Sequence, residues 1–237
     1  MRLPALLMLL AALPASSWAQ ERSTVHLFQY GSTNAPASAT AFLDFRDLMS
    51  EKLPRLASEL LADDDRAGGL TNLDALALQP VQADGGDGLE PPSARIPNLQ
   101  RRRQYWRDTG ALALLTGRVK GSDPASLVIR STFFLGELGQ PTRRETLDVE
   151  LPFTAAVYDT TNDSHSVVLL YALAMEALGM TADGTTADCN RQAHAYFLLS
   201  QASLRADSVA TDDRDLGAAL ATIVQDALDA VKAACPA

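Results

Sequence analysis

Residues 101–107 carry the densest concentration of recognition chemistry in this chain: Arg101, Arg102, Arg103 and Arg107 surround Tyr105 and Trp106. Guanidinium groups beside large aromatics can bind carboxylates, stack on rings and anchor a protein interface. Consecutive residues on a helix point around most of its circumference, so the three adjacent arginines cannot serve one partner, whereas Arg103 and Arg107 share a face. Arg103, Tyr105, Trp106 and Arg107 are therefore the candidate docking patch. A competing arrangement turns Trp106 and Leu99 into the core and leaves the arginines solvated or paired with local acids.

Other reactive side chains give weaker patterns. The histidines are His26, His165 and His194, and no two have the four-residue spacing of a helical metal site. Each is expected to be hydrogen-bonded in the interior or exposed. There is no Gly-x-Ser-x-Gly elbow, no Gly-x-x-x-x-Gly-Lys phosphate loop and no Gly-x-Gly-x-x-Gly turn after a strand. Asp84, Asp87 and Glu90 around Gly85-Gly86 could offer oxygens to calcium, but their spacing departs from a calcium loop and predicts a solvated acidic loop. Asp63-Asp64-Asp65 reads as a water-facing helix end. No metal or cofactor is expected.

The two cysteines are Cys189 and Cys235. In an oxidising compartment they are expected to form one disulfide, and closing so long a loop would stabilise the fold by roughly 4 kcal/mol in the chain-entropy model. The alternative is two separate buried thiols. Compartment is indicated by the first nineteen residues: Arg2, an apolar run from Leu3 to Leu13, then Ser17-Trp18-Ala19 with small residues where a signal peptidase reads. The run is short for a bilayer, so residues 1–19 are expected to be a leader cleaved before Gln20, giving a periplasmic or secreted protein. No Cys near that point offers a lipid-anchor site, and no later stretch is apolar enough to form an integral span. The net charge of −9 argues against nucleic acid and anionic membranes as partners.

The elements that must position these groups follow from periodicity. Thr24–Tyr30 is β-branched and aromatic and reads as a strand. Phe42, Phe45, Met49, Leu53, Leu56 and Leu60 mark a helix, with Pro54 predicting a kink or restart near Glu51–Leu53. Leu76–Val81 is a weaker strand candidate, because Pro80 needs an edge or terminal position. Gln82–Pro97 reads as a loop, and Asn98 caps a helix ending near Asp108 and Gly110. Ala111–Val119 is an apolar run suited to a central strand. Leu127–Leu135 and the segment containing Leu147, Val149 and Leu151 alternate, predicting a strand–turn–strand–turn–strand meander with one wet face. The period then becomes helical: one helix from Asp163 or Ser164 to Gly179, with Val167, Leu170, Tyr171, Ala174, Met175 and Leu178 inward, then Ala193–Arg205 and Asp213–Ala234. The expected class is α/β in the α+β sense: a mixed sheet with flanking helices over 20–180 and a small helical appendage over 181–237.

Asp108–Val119 (DTGALALLTGRV), in which an apolar strand ends at Thr116-Gly117-Arg118-Val119, resembles an element of the amino-terminal domain of the TolB family. It is similar also to related curli-secretion and flagellar accessory components. The likeness runs from about Thr24 to Gly179, and the last two helices resemble a degenerate tetratricopeptide pair. The resemblance implies protein–protein contact in the cell envelope, without catalytic residues to transfer. The expected function is accordingly an exported docking or scaffold module with an envelope protein as partner. The alternatives are a periplasmic small-ligand binder using a groove beside the sheet, and a hydrolase whose acids converge only in the fold. An enclosed pocket would favour these, and a shallow surface would favour docking.

Overall fold

The computed structural model describes residues 22–32, 36–63, 73, 76–81, 99–121, 123, 126–152, 158–179 and 187–236. The leader, the loop carrying Asp84, Asp87 and Glu90, and Asp64-Asp65 lie outside the described residues. In chain order the elements are β1 (Thr24–Phe28), β2 (Gly31–Ser32), α1 (Pro36–Asp63), β3 (Ala77–Val81), α2 (Leu99–Thr109) and β4 (Ala113–Lys120). They continue with β5 (Val128–Phe134), β6 (Thr146–Pro152), α3 (Tyr158–Ala177), α4 (Gln192–Asp212) and α5 (Arg214–Ala234). A short 3₁₀ turn, Gly136–Thr142, joins β5 to β6.

The fold is mixed α/β. One sheet has the strand order β3-β1-β4-β5-β6, with β2 continuing the line of β1 along β4. β1 runs parallel to β3 and β4, while β4, β5 and β6 form the antiparallel meander. Pro80, opposite Leu27, sits in an edge strand, where its missing N–H costs the sheet least. β4 is central, as its apolar run requires, with Ala113–Leu115 buried.

Alternation divides the sheet into two chemically different faces. Leu115, Val119, Ile129, Phe133, Leu147, Val149 and Leu151 are buried on the inner face, against which α1 and α3 pack. Arg118, Lys120, Arg130, Asp148 and Glu150 are exposed on the outer face. Among the described residues α2 covers the β1 end of the outer face, where Tyr105 packs edge-on against His26 and Phe28.

Three helices depart from expectation. α1 is one uninterrupted helix through Pro54. The proline costs about 3 kcal/mol or more, but Phe45, Met49, Leu53, Leu56 and Leu60 lie on one buried stripe, each contributing roughly 1.5–3 kcal/mol, and that burial outweighs the break. α3 begins at Tyr158, ahead of Asp163, and is buried all round from Ser164 to Met175. It therefore has no outward face: the sheet and α1 take one side, and α4 packs along another. α4 extends to Asp212, seven residues beyond the expected end at Arg205. Other boundaries fall where capping chemistry puts them. Gly179 closes α3 with φ 58°, and the Asp213 carboxylate accepts the Leu216 N–H at the start of α5.

Cys189 and Cys235 form a disulfide across 46 residues, tying the start of α4 to the end of α5. Gln192 Nε2 donates to the Cys235 carbonyl at 3.0 Å beside it. Among the described residues no helix is long and apolar enough to cross a membrane.

Candidate functional site

Tyr105 and Trp106 are core residues, 5% and 1% exposed, so they offer no anchor to a partner. Trp106 donates its indole N–H to the Leu112 carbonyl at 3.4 Å. The Arg22 guanidinium stacks on its ring, 3.6 Å from the centroid, and donates to the carbonyls of Trp106 and Ala111 at 3.2 and 3.0 Å. Burial pulls the Arg22 guanidinium down from its usual value, against the opposing charges of Glu176 and Glu137. Leu99, expected beside Trp106 in the core, is 41% exposed.

The arginines of the expected patch are held within the chain. Arg103 grips Glu145 with two hydrogen bonds of 2.6 and 2.7 Å, and Arg107 pairs with Glu137 at 2.9 Å. Both acids lie around the 3₁₀ turn, so these pairs dock α2 against the β5–β6 connection. Arg102, one step around the helix, instead lines an open groove on the outer face of the sheet.

That groove has a volume of about 420 Å³ and is lined by Arg102, Arg118, Lys120, Arg130, Asp148 and three threonines, Thr116, Thr132 and Thr146. Four cations and Asp148 line it, with Glu150 paired to two of those cations, on a chain whose net charge is −9. The antiparallel register sets Thr116, Thr132 and Asp148 in one row across the strands, and Arg118, Arg130 and Glu150 in the next. Arg130 binds Asp148 at 2.6 Å and approaches Glu150 at 3.8 Å, and Lys120 reaches Glu150 at 3.2 Å. Arg118 makes no ion pair among the described residues. Burial pushes the Asp148 carboxyl up, but hydrogen bonds from Thr132 and Arg130 and the charges of Arg130 and Arg102 outweigh it and hold the group below its ordinary value. The hydrogen bond to Asp148 raises the Arg130 guanidinium in turn.

The floor of the groove is fixed from beneath. Gly117 follows Thr116 on β4 and points inward, where the Tyr30 ring lies directly on it. A side chain there would collide with that ring and with the Arg130 carbonyl. The Tyr30 hydroxyl donates to Ser131 Oγ at 2.8 Å, and Ser131 Oγ lies 2.7 Å from His165 Nε2. Phe45 and Phe133 enclose the imidazole at ring distances of 5.2 and 5.3 Å. Burial pushes the Tyr30 hydroxyl far above its usual value, against the smaller opposing effect of Ser131. Ser131 and His165 have nucleophile–base spacing, and they are 0% and 1% exposed, on the inner face of the sheet.

The other histidines stand apart. His26 Nδ1 lies 3.2 Å from the Tyr105 hydroxyl, and His194 Nδ1 is buried without a hydrogen-bond partner among the described residues. No group of three metal-ligating side chains gathers among the described residues. A second, smaller cleft of about 220 Å³ is lined by Lys52, Arg55, Glu59, Asp163, Ser166 and Arg205. Its charges are largely paired: Glu59 with Arg55 at 2.8 Å and Arg205 at 3.7 Å, and Asp163 with the Ser208 hydroxyl at 2.8 Å.

Sequence reasoning singled out the arginines of α2 and passed over Arg118, Lys120 and Arg130. The signal was present. Arg118 and Lys120 are two apart in a strand, so they share a face, and Arg130 belongs to the next strand of the same meander. No family model, curated protein or solved structure matches the chain.

Proposed function

We propose that this protein is an exported, non-catalytic docking module of the cell envelope that engages another protein through the open outer face of its sheet. One observation carries the reading: beside α2 the sheet keeps a shallow groove lined by four cations, two of which, Arg102 and Arg118, make no ion pair among the described residues. A cationic surface on an acidic body is an electrostatic address for an anionic partner. Support for a non-catalytic role comes from the burial of the Ser131–His165 pair beneath the sheet. The leader-like amino terminus, the disulfide and the likeness to the TolB family support an envelope setting.

Site-specific photo-crosslinking tests this reading. A photoreactive residue at Thr132 in the groove is compared with one at Thr222 on the exposed side of α5 in the native host. A discrete protein adduct from Thr132, absent from Thr222 and lost on Arg118→Glu, is the expected result. Adducts from Thr222 alone, or from neither position, overturn it.

A further inference from the structure

Taking that docking reading as its basis, we propose that the groove accepts an extended acidic segment of the partner, with carboxylates at alternating positions. Arg118 and Lys120 project from β4 on one face, two residues and so about 7 Å apart. A partner chain in strand conformation places side chains i and i+2 on one face at that same interval. Two carboxylates in such a segment can meet Arg118 and Lys120 together. Consecutive acids would send one of each pair to the opposite side.

The charge arrangement points the same way. Arg118 and Arg130 are direct cross-strand neighbours, about 5 Å apart, and like charges so placed disfavour the sheet. Asp148 and Glu150 relieve Arg130, while nothing among the described residues relieves Arg118. An incoming carboxylate at Arg118 would remove that repulsion, and its neighbour would compete with Glu150 for Lys120. The groove is too long and open to be filled by one phosphate or one carboxylate. From Thr116 to Lys120 the β4 wall alone runs for about 13 Å, and Arg102 adds a cation from the helix opposite. Thr146 and Thr116 supply hydroxyls between the charges, suited to the backbone and polar side chains of a peptide.

The test uses the oxidised protein without its leader and fluorescent peptides of one composition. One peptide carries Glu at alternating positions between Thr residues, and its isomer carries the same glutamates consecutively. The alternating peptide should bind at least threefold more tightly than its isomer, with affinity falling as salt rises. Arg118→Glu with Lys120→Glu should weaken it by about tenfold or more, as expected when two attractive exposed pairs become repulsive. Arg118→Gln with Lys120→Gln gives the same reading with less disturbance to the fold, and Arg46→Glu on α1 should change nothing. Equal affinity for the two isomers, or for wild type and the glutamine variant, overturns the proposal. So does saturable binding to vesicles rich in anionic lipid without peptide binding, or full competition by inorganic phosphate at micromolar concentration. If the Thr132 adduct forms while the peptides show no preference, the docking reading stands and the alternating-acid occupant falls. Absence of the Thr132 adduct with the groove otherwise wild type removes the docking reading itself.

Discussion

Ser131 joins two buried polar side chains that have no shared sequence neighbourhood, so its removal gives a sharp test of how the groove floor is held. Ser131→Ala deletes one oxygen and leaves a void smaller than a methyl group. Its main effect is to strip the Tyr30 hydroxyl and His165 Nε2 of the partner they share at 2.8 and 2.7 Å. Each buried polar atom losing a partner costs about 1–3 kcal/mol, so the single variant should lose roughly 2–4 kcal/mol. Tyr30→Phe removes a hydroxyl with its partner still satisfied by His165, and should cost only about 1 kcal/mol. In the double variant the tyrosine hydroxyl is no longer stranded, so its loss should fall short of the sum of the singles by about 1–2 kcal/mol. Urea unfolding of the oxidised protein, followed by circular dichroism and by Trp106 fluorescence, measures all four corners of the cycle. The network account fails if Ser131→Ala stays within about 0.5 kcal/mol of wild type, or if the two substitutions add within that margin.

Replacing Cys189 and Cys235 together by Ser should cost about 4 kcal/mol for a bridge spanning 46 residues, seen in calorimetry as a melting temperature lower by roughly 8–16 °C. Gly117→Ala should cost about 1–3 kcal/mol, because its methyl meets the Tyr30 ring and the Arg130 carbonyl; thermal melts report it. The carboxyl of Asp148 is depressed in the fold, so its contribution is fully present above the ordinary carboxylate value near 4 and is lost as pH falls through its lower folded value. Asp148→Asn should therefore flatten the acid limb of stability against pH, and a carbon-detected NMR titration of wild type should place Asp148 below the exposed aspartates.

Local chemistry made much of the fold legible. The strict alternation of Leu147, Val149 and Leu151 with Asp148 and Glu150 foretold a sheet with one wet face, and Pro80 limited its strand to an edge or terminal position, of which the fold takes the edge. The start of the last helix at Asp213 and the pairing of the two cysteines, Cys189 and Cys235, were likewise legible from residue type. What stayed hidden depends on partners distant in sequence. The acid that claims Arg103 lies 42 residues on, at Glu145, so a cluster suited to docking became an internal clamp. Tyr30 and Ser131 are 101 residues apart, and no pattern in either segment announces the other. The start of α3 at Tyr158, ahead of the expected Asp163 or Ser164, was hidden because its apolar period begins only at Val167; Ser164, His165 and Ser166 are buried, and His165 is held by Ser131. Pro54 was judged by its local cost, while the apolar stripe on both sides of it decided the outcome.

β5 carries both the buried network and part of the groove. Ser131 points inward to Tyr30 and His165, and its neighbours Arg130 and Thr132 point outward into the groove. Fixing the inward residue therefore fixes the backbone from which the outward ones project, and a binding surface arranged in advance loses less freedom when occupied. The same logic gives the arginines of α2 their division of labour. Successive helical residues turn by about 100°, so while Arg103 and Arg107 fasten the helix to Glu145 and Glu137, Arg102 is carried round to the wall of the groove. Aromatic residues hold the other side of α2: Tyr105 rests on Phe28, and Trp106 lies under Arg22. A basic-aromatic helix that reads as an interface in one dimension thus serves in three as a buttress, and under the proposed docking reading the cations open to a partner are Arg102 and Arg118, which make no ion pair among the described residues.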